Sequence, residues 1–219
     1  MNVGQVATNE GVFLVVAIIG TIAFATSGVL AAAEAGLDWL GATVLAVVVS
    51  IGGGTIRDIL IGNLPVTWVQ DEWPVIVALG TVAVGLVMLR LPWRLDPRNQ
   101  AWYLASDAIG LGAFVVLGTT IALDRGASSF IAVFMGVITG VGGGVIRDVF
   151  TGKTPIVFVG QVYAVAGLVG AIVHAALRNS QQSDVVRVWV PVAIVVALRA
   201  LAVRFDLHLP RTDRRESAR

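Results

Sequence analysis

The chain has 219 residues, of which 57% are hydrophobic and 13% are charged, and its mean hydropathy is +0.87. Because an ordinary soluble domain carries about 25% charged residues, this composition indicates a membrane protein. The absence of cysteine excludes disulfides and thiolate metal sites, and a net charge of +1 gives no reason to expect a nucleic-acid partner.

Seven apolar runs are long enough to be helices that cross a hydrocarbon core about 30 Å thick, which takes about 20 residues. In chain order they lie between Glu10 and Glu34 and at about 39–60, 73–89, 102–123, 128–150, 156–177 and 185–203. A connector rich in proline and arginine, 90–98, separates the third run from the fourth, and its composition is typical of a linker.

The chain contains an internal duplication at an offset of 90 residues. Between 14–69 and 104–159, 19 of 56 aligned positions are identical without a gap, including the strings GGGTIRD at 52–58 and GGGVIRD at 142–148. Each copy holds three predicted helices, and because three is odd, the second copy enters the bilayer in the opposite sense.

The predicted fold is therefore an all-α membrane protein with two inverted three-helix repeats and one extra C-terminal helix. We expect a single transmembrane domain over 1–206 and a basic C-terminal tail at 207–219. Within that domain we expect repeat one at about 12–91, repeat two at about 102–181 and the seventh helix at about 185–204.

Basic residues outside the spans predict the orientation, because they concentrate on the cytoplasmic side of a membrane. If the N-terminus is outside, nine basic residues fall inside and three fall outside. The nine are Arg90, Arg94, Arg98, Lys153, Arg204, Arg211, Arg214, Arg215 and Arg219, and the three are Arg125, Arg178 and Arg187. We therefore expect an outside N-terminus and a cytoplasmic C-terminus.

Helices two and five each carry a predicted weak point, since glycine costs about 1 kcal/mol relative to alanine in a helix interior. These are two glycine triplets: Gly52, Gly53, Gly54, Gly142, Gly143 and Gly144. A kink or break there frees carbonyl groups of the preceding half-helix, and these can bind a cation. The repeat symmetry places the two breaks face to face near the membrane midplane. Close helix packing is the alternative use of such small residues.

Four charged residues follow the triplets by about one turn: Arg57, Asp58, Arg147 and Asp148. Neighbouring residues on a helix point about 100° apart, so we expect ion pairs between the repeats, Arg57 with Asp148 and Arg147 with Asp58. Such pairs are either structural or part of a gate. Asp107 has no basic neighbour in its own helix, so it is interpreted either as an acid that attracts a cation or as a neutral, hydrogen-bonded group.

Uncharged polar residues near the triplets are candidates for pore lining, with Ser50 and Thr55 foremost and Thr139 in the second repeat. The alternative is that each hydroxyl bonds to its own helix, as is common in membranes. The tryptophans lie near predicted helix ends and are interpreted as interface anchors, and His174 and Arg199 as residues that reach the interface.

The sequence contains no catalytic constellation. Gly152-Lys153-Thr154 resembles the end of a phosphate-binding loop, but Arg147 stands where such a loop needs a glycine. The two histidines cannot form a metal cluster by themselves. We therefore expect no enzyme activity, no cofactor and no bound metal other than a permeant ion.

The doubled GGGxIRD string, the segment SDAIGLGAF at 106–114 and the segment MGVITG at 135–140 together resemble the prokaryotic branch of the trimeric intracellular cation (TRIC) channel family, over about 12–204. The resemblance implies a homotrimer among the lipids of a prokaryotic inner membrane, a pore in each protomer and conduction of monovalent cations, mainly K⁺. It also implies that the glycine kinks line the pore and that the neighbouring charges line or gate it.

Two functions therefore remain open. A K⁺ channel needs a continuous hydrated path, whereas an alternating-access carrier of a small amino acid such as glycine, a function described for some bacterial relatives, needs an occluded site. Inverted repeats suit both. The chain lacks a TVGYG filter, so high K⁺/Na⁺ selectivity of the usual kind is not expected.

Overall fold

The computed structural model describes residues 3–91, 100–159, 162–178 and 180–207, and it has nine helices and no strand in these ranges. Most of the connector and nearly all of the basic tail lie outside the described residues. The helices are α1 (Val3–Glu34), α2 (Trp39–Leu60), α3 (Thr67–Gln70), α4 (Trp73–Arg90), α5 (Gln100–Asp124), α6 (Ser129–Phe150), α7 (Ile156–Val159), α8 (Tyr163–Leu177) and α9 (Asp184–Arg204).

Six of the described helices are long and apolar enough to cross a membrane: α1, α2, α4, α5, α6 and α9. The prediction of an all-α membrane protein is thereby confirmed. The predicted sixth span, 156–177, is divided into the short α7 and the 15-residue α8. At 1.5 Å per residue α8 reaches about 22 Å, which is shorter than a hydrocarbon core of about 30 Å.

The helices of the two repeats keep the offset of the sequence. Helix α6 begins and ends 90 residues after α2, and α5 ends 90 residues after α1. Asp38 caps α2 by accepting a hydrogen bond from the Gly41 amide at 2.7 Å, and Ser128 caps α6 in the same way. Beyond each helix a glycine in the left-handed region, at φ 69° or 70°, turns the chain toward α3 or α7.

The repeats meet through α1 and α5 and through α2 and α6. Phe24 and its counterpart Phe114 stack on one another with ring centroids 5.2 Å apart, so the axis that relates the repeats passes near this pair. Small residues allow the surrounding helices to approach closely. A methyl group built on Gly110 would overlap the ring of Phe24, and one built on Gly20 would lie 2.8 Å from the Cβ of Ala113.

The glycine triplets lie within continuous helix, so the predicted break that frees the preceding carbonyls is wrong. The triplets do face each other as expected, but in direct contact. A methyl group built on Gly53 would overlap the carbonyl oxygen of Thr139, one on Gly142 would lie 3.0 Å from the Cα of Gly53, and one on Gly143 would lie 2.6 Å from the carbonyl oxygen of Val49. At these three positions the glycines allow α2 and α6 to pack closely. This packing offsets the low helix propensity of glycine.

Candidate functional site

The arginine and aspartate of each repeat pair with each other, so the predicted pairing between repeats is wrong. Arg57 donates from Nε and Nη2 to Oδ1 of Asp58, at 2.9 and 2.7 Å. Arg147 donates from Nε to Oδ1 of Asp148 at 2.9 Å, and its Nη2 lies 2.8 Å from the same oxygen. The arginine side chain is long enough to fold back onto its neighbour in sequence, although the two residues leave the helix in different directions.

The second oxygen of each aspartate holds the segment that follows the helix. Oδ2 of Asp58 accepts hydrogen bonds from the amide and hydroxyl of Thr67, at 2.8 and 2.7 Å, where α3 begins. Oδ2 of Asp148 accepts from the amide of Ile156, at 2.9 Å, where α7 begins. Each Arg-Asp pair therefore anchors a short capping helix. The signal that could have indicated this is the spacing Gly-x-x-Pro, at 62–65 and 152–155, after both strings.

Replacing Asp58 with asparagine is expected to lower the free energy of unfolding by about 1–3 kcal/mol, because a buried carboxylate that accepts several hydrogen bonds is lost. Thermal unfolding of the purified protein measures the change. Asp38→Asn is the matched control, since asparagine caps a helix about as well as aspartate. Equal stability of Asp58→Asn and Asp38→Asn would show that the hydrogen bonds of the Asp58 carboxylate do not contribute to the free energy of unfolding.

Arg147 lies at the centre of a group that we call the Arg147 cluster: Arg147, Asp107, Ser27 and Tyr163, which are buried, and Tyr103, which is half-buried. Nη1 of Arg147 donates to Oγ of Ser27 at 2.7 Å and to Oδ1 of Asp107. The side chains of Arg147 and Asp107 are both 0% exposed. Asp107 is therefore ion-paired, and its interpretation as an acid without a basic partner is wrong, because the partner comes from α6.

Both tyrosines of the chain complete the cluster. The ring of Tyr103 lies 4.5 Å from the Arg147 guanidinium, and its hydroxyl donates to Asp148 at 3.1 Å. The hydroxyl of Tyr163 donates to Asp107 at 3.2 Å. The guanidinium of Arg199 stacks on Tyr163 at 4.6 Å and is buried, so Arg199 does not reach the interface as expected. The cluster joins the start of α5 and the start of α8 to the end of α6.

A cavity of about 710 Å³ lies on the side of the molecule that carries Arg57. Its wall comes from the first half of α1, the second halves of α2 and α5, α3, the starts of α4 and α9 and the end of α8. It extends to the exposed ion pair of Asp124 and Arg178. Four predicted site residues line it: Ser50, Gly54, Arg57 and Asp58. The four belong to the first repeat, and the second repeat adds Thr120, Asp124, His174 and Arg178 to the lining.

The other predicted site residues lie away from the cavity lining. Gly52, Gly53, Gly142 and Gly143 pack at the crossing of α2 and α6, and Gly144 faces the Arg147 cluster. The hydroxyl of Thr139 donates to its own helix, at the Met135 carbonyl, and Thr55 does so at the Ile51 carbonyl.

Sequence reasoning missed several cavity residues because it placed them at the interface. Trp68 and Trp73 line the cavity, and Trp68 donates to the Thr55 hydroxyl at 3.0 Å. His174 is buried beside the cavity, where Nε2 lies 2.7 Å from the Thr120 hydroxyl and Nδ1 lies 2.9 Å from the Arg187 carbonyl oxygen. Proximity to a helix end does not distinguish an anchor from a residue that faces a cavity.

These features define an integral membrane protein of the inverted-repeat class, with a solute-sized cavity beside the Arg-Asp pair of the first repeat and a buried cluster around the Arg-Asp pair of the second. The glycine-transporter family model matches residues 14–90 and 104–179, one stretch in each repeat. The UPF0126 inner membrane protein YadS of Escherichia coli is 40% identical over 195 residues, which cover 88% of this chain and 92% of that protein. A UPF0126 membrane protein of Vibrio cholerae is 39% identical over 94% of this chain and 85% of its own length.

Solved structures with the same fold are TRIC channels. The TRIC orthologue from Rhodobacter sphaeroides superposes with a TM-score of 0.82 and 31% identity, over 90% of this chain and 99% of that chain. A prokaryotic TRIC channel in 0.5 M KCl superposes with a TM-score of 0.83 and 29% sequence identity, over 91% of this chain and 100% of that chain. The chain therefore belongs to the family that the glycine-transporter model describes, with the UPF0126 proteins and the TRIC channels as relatives, and the resemblance drawn from its motifs is confirmed.

Proposed function

We propose that the protein is a channel for monovalent cations, mainly K⁺, that forms a homotrimer in a prokaryotic inner membrane with one pore in each protomer. The observation that carries the proposal is the cavity of about 710 Å³, which lies inside a single protomer and is built by helices of both repeats. In this proposal the structure corresponds to a closed channel, in which the Arg147 cluster is the gate.

The residues suggest how such a gate works. Ser50, Gly54 and Asp58 line the open part of the path. Oδ2 of Asp107 accepts no hydrogen bond from the described residues, so one carboxylate oxygen is available to a cation once the cluster separates. In the closed state, Gly144 leaves room for the Tyr163 hydroxyl, because a methyl group there would lie 2.7 Å from that hydroxyl. In this proposal, α2 and α6 slide past each other at their glycine contacts when the Arg147 cluster separates.

The solved relatives support the channel, since two are named as TRIC channels and one is described as trimeric. The chain itself has the same fold at about 30% identity, and the match covers nine-tenths of its length. Members of one family share architecture more closely than ion selectivity, so preference for K⁺ over Na⁺ is part of the proposal.

The second candidate is an alternating-access carrier of glycine. One observation favours it: the Arg-Asp pairs of the two repeats are both buried, but only the pair of the first repeat lines the cavity. Carriers with inverted repeats reach their two access states by exchanging the conformations of the repeats. The description of the matched family model names the same substrate.

Recording from the purified full-length protein in planar bilayers distinguishes the two candidates. Unitary currents of picoampere size in K⁺ gradients are the expected result for the channel. Exchange of labelled glycine across liposomes, in the absence of any unitary current, would contradict the channel and support the carrier. The same preparation with Na⁺ in place of K⁺ measures the selectivity.

A further inference from the structure

Each arginine lies against the aspartate that follows it in sequence, and the two arginines differ most at Nη1. In both, Nε donates to the neighbouring aspartate at 2.9 Å, and Nη2 lies 2.7 or 2.8 Å from the same oxygen. The remaining nitrogen, Nη1, differs. In Arg147 it binds the carboxylate of Asp107 and the hydroxyl of Ser27. In Arg57 it has no acceptor among the residues that the structure describes.

The groups that bury Arg147 have smaller or less polar counterparts around Arg57. An offset of 90 residues relates Asp107 to Ala17, Tyr103 to Phe13, Tyr163 to Trp73 and Ser27 to Leu117. All four counterparts line the cavity, together with Arg57. The cavity is therefore the place where the surroundings of Arg57 lack the carboxylate and hydroxyls that surround Arg147.

The space over the third glycine of each triplet shows the same difference. A methyl group built on Gly144 would lie 2.7 Å from the Tyr163 hydroxyl and 3.5 Å from Oδ1 of Asp107. A methyl group built on Gly54 would meet only Nη2 of Arg57, at 3.7 Å. The volume that holds a carboxylate in repeat two is thus open in repeat one, beside a guanidinium whose side chain is 4% exposed.

From this correspondence we infer that Arg57 binds the carboxylate of a small solute in the cavity, at the position that Asp107 occupies against Arg147. Arginine presents planar donors that suit a carboxylate, and the apolar walls formed by Phe13, Trp73 and Leu117 strengthen such a bond by excluding water. The cavity volume lies within the range of sites for small molecules.

The inference goes beyond cation conduction, because it requires only that a carboxylate reach the cavity. It also deepens the second candidate function, since it names the residue that recognises the acidic end of an amino acid. Binding is measured without any transport, so the inference and the proposed function can fail separately.

The test is a titration of the tryptophan fluorescence of the purified full-length protein, since Trp68 and Trp73 line the cavity. We expect glycine and acetate to change the fluorescence saturably and methylammonium, which lacks a carboxylate, to have no effect. Failure of both carboxylates to bind would overturn the inference. Equal binding of chloride or inorganic phosphate would overturn the assignment to carboxylates.

Ala17→Asp is the decisive variant, because it supplies repeat one with the carboxylate that repeat two has at Asp107. We expect it to weaken glycine and acetate binding at least about tenfold, the effect of losing one charge-assisted hydrogen-bonded pair, while the thermal stability is kept. Ala17→Asn is the matched control of equal size and is expected to weaken binding less than Ala17→Asp, because it fills the same space without a negative charge.

A second variant keeps the inference testable if Ala17→Asp does not fold. Gly54→Val fills the open space beside Arg57 without adding a charge, and it is expected to reduce carboxylate binding as well. If Ala17→Asp folds and binds carboxylates as strongly as the unchanged protein, Arg57 is not the carboxylate site. If only Gly54→Val folds, unchanged binding by that variant leads to the same conclusion.

Discussion

Exchange of Arg147 for glutamine is expected to lower the free energy of unfolding by about 3–5 kcal/mol, the cost of removing one partner of a buried ion pair. The change leaves the carboxylate of Asp107 buried without its cationic partner, and it removes the guanidinium that stacks on Tyr103. Thermal and denaturant unfolding of the purified protein measure the loss. In bilayers the folded fraction is expected to conduct more often, because the cluster is the proposed gate.

The matched control is Lys153→Gln, which breaks the ion pair between Lys153 and Glu34. Both side chains of that pair are more than 40% exposed, so the expected cost is about 0–1 kcal/mol. A similar small cost for Arg147→Gln would mean that the buried cluster does not stabilise the fold. Unchanged open probability in a folded Arg147→Gln protein would remove the cluster from the gate.

Alanine substitutions within one glycine triplet are expected to differ strongly. Gly53→Ala places a methyl group on the carbonyl oxygen of Thr139, which is backbone and cannot turn aside, so α2 and α6 must separate. Overpacking of this kind costs about 1–3 kcal/mol or more. Gly54→Ala meets only an arginine nitrogen at 3.7 Å, so the better helix propensity of alanine stabilises it by up to about 1 kcal/mol.

Unfolding temperatures of the two variants, measured in the same detergent, test this contrast. If the triplet were a hinge without packing contacts, both alanines would stabilise the protein to a similar degree. The second triplet provides an independent repetition, since a methyl group on Gly143 would lie 2.6 Å from the Val49 carbonyl oxygen.

The sequence predicts the repeat and the helical spans, because each leaves a local pattern. It also predicts that the two GGGxIRD strings face each other. The offset of 90 residues also predicted which residues would be equivalent, and Phe24 and Phe114 do stack. The partners of the charges could not be predicted in this way. Arg147 pairs with Asp107 because α5 packs against α6, and a contact between helices leaves no signal in the spacing along one helix.

Two errors have a common physical origin. Glycine propensity alone predicted a break in α2 and α6, but the packing of two backbones at Gly53 and Gly142 outweighs that cost. The 100° step of a helix predicted that Arg57 and Asp58 would diverge, but a long side chain reaches its neighbour easily. The chain has only two tyrosines, and both belong to the Arg147 cluster, which is a compositional signal that could have located it.

In the proposed closed channel, the cavity is accessible from one side of the membrane and closed on the other. A single cysteine tests it directly, since the chain has none of its own. Ala17→Cys lies in the cavity wall, and Ala25→Cys in the same helix is fully buried and serves as the control. With an outside N-terminus, a membrane-impermeant maleimide is expected to label Ala17→Cys rapidly in intact cells, slowly or not at all in inside-out vesicles, and Ala25→Cys in neither. Equal labelling of Ala17→Cys from both faces, or from neither, would contradict the account.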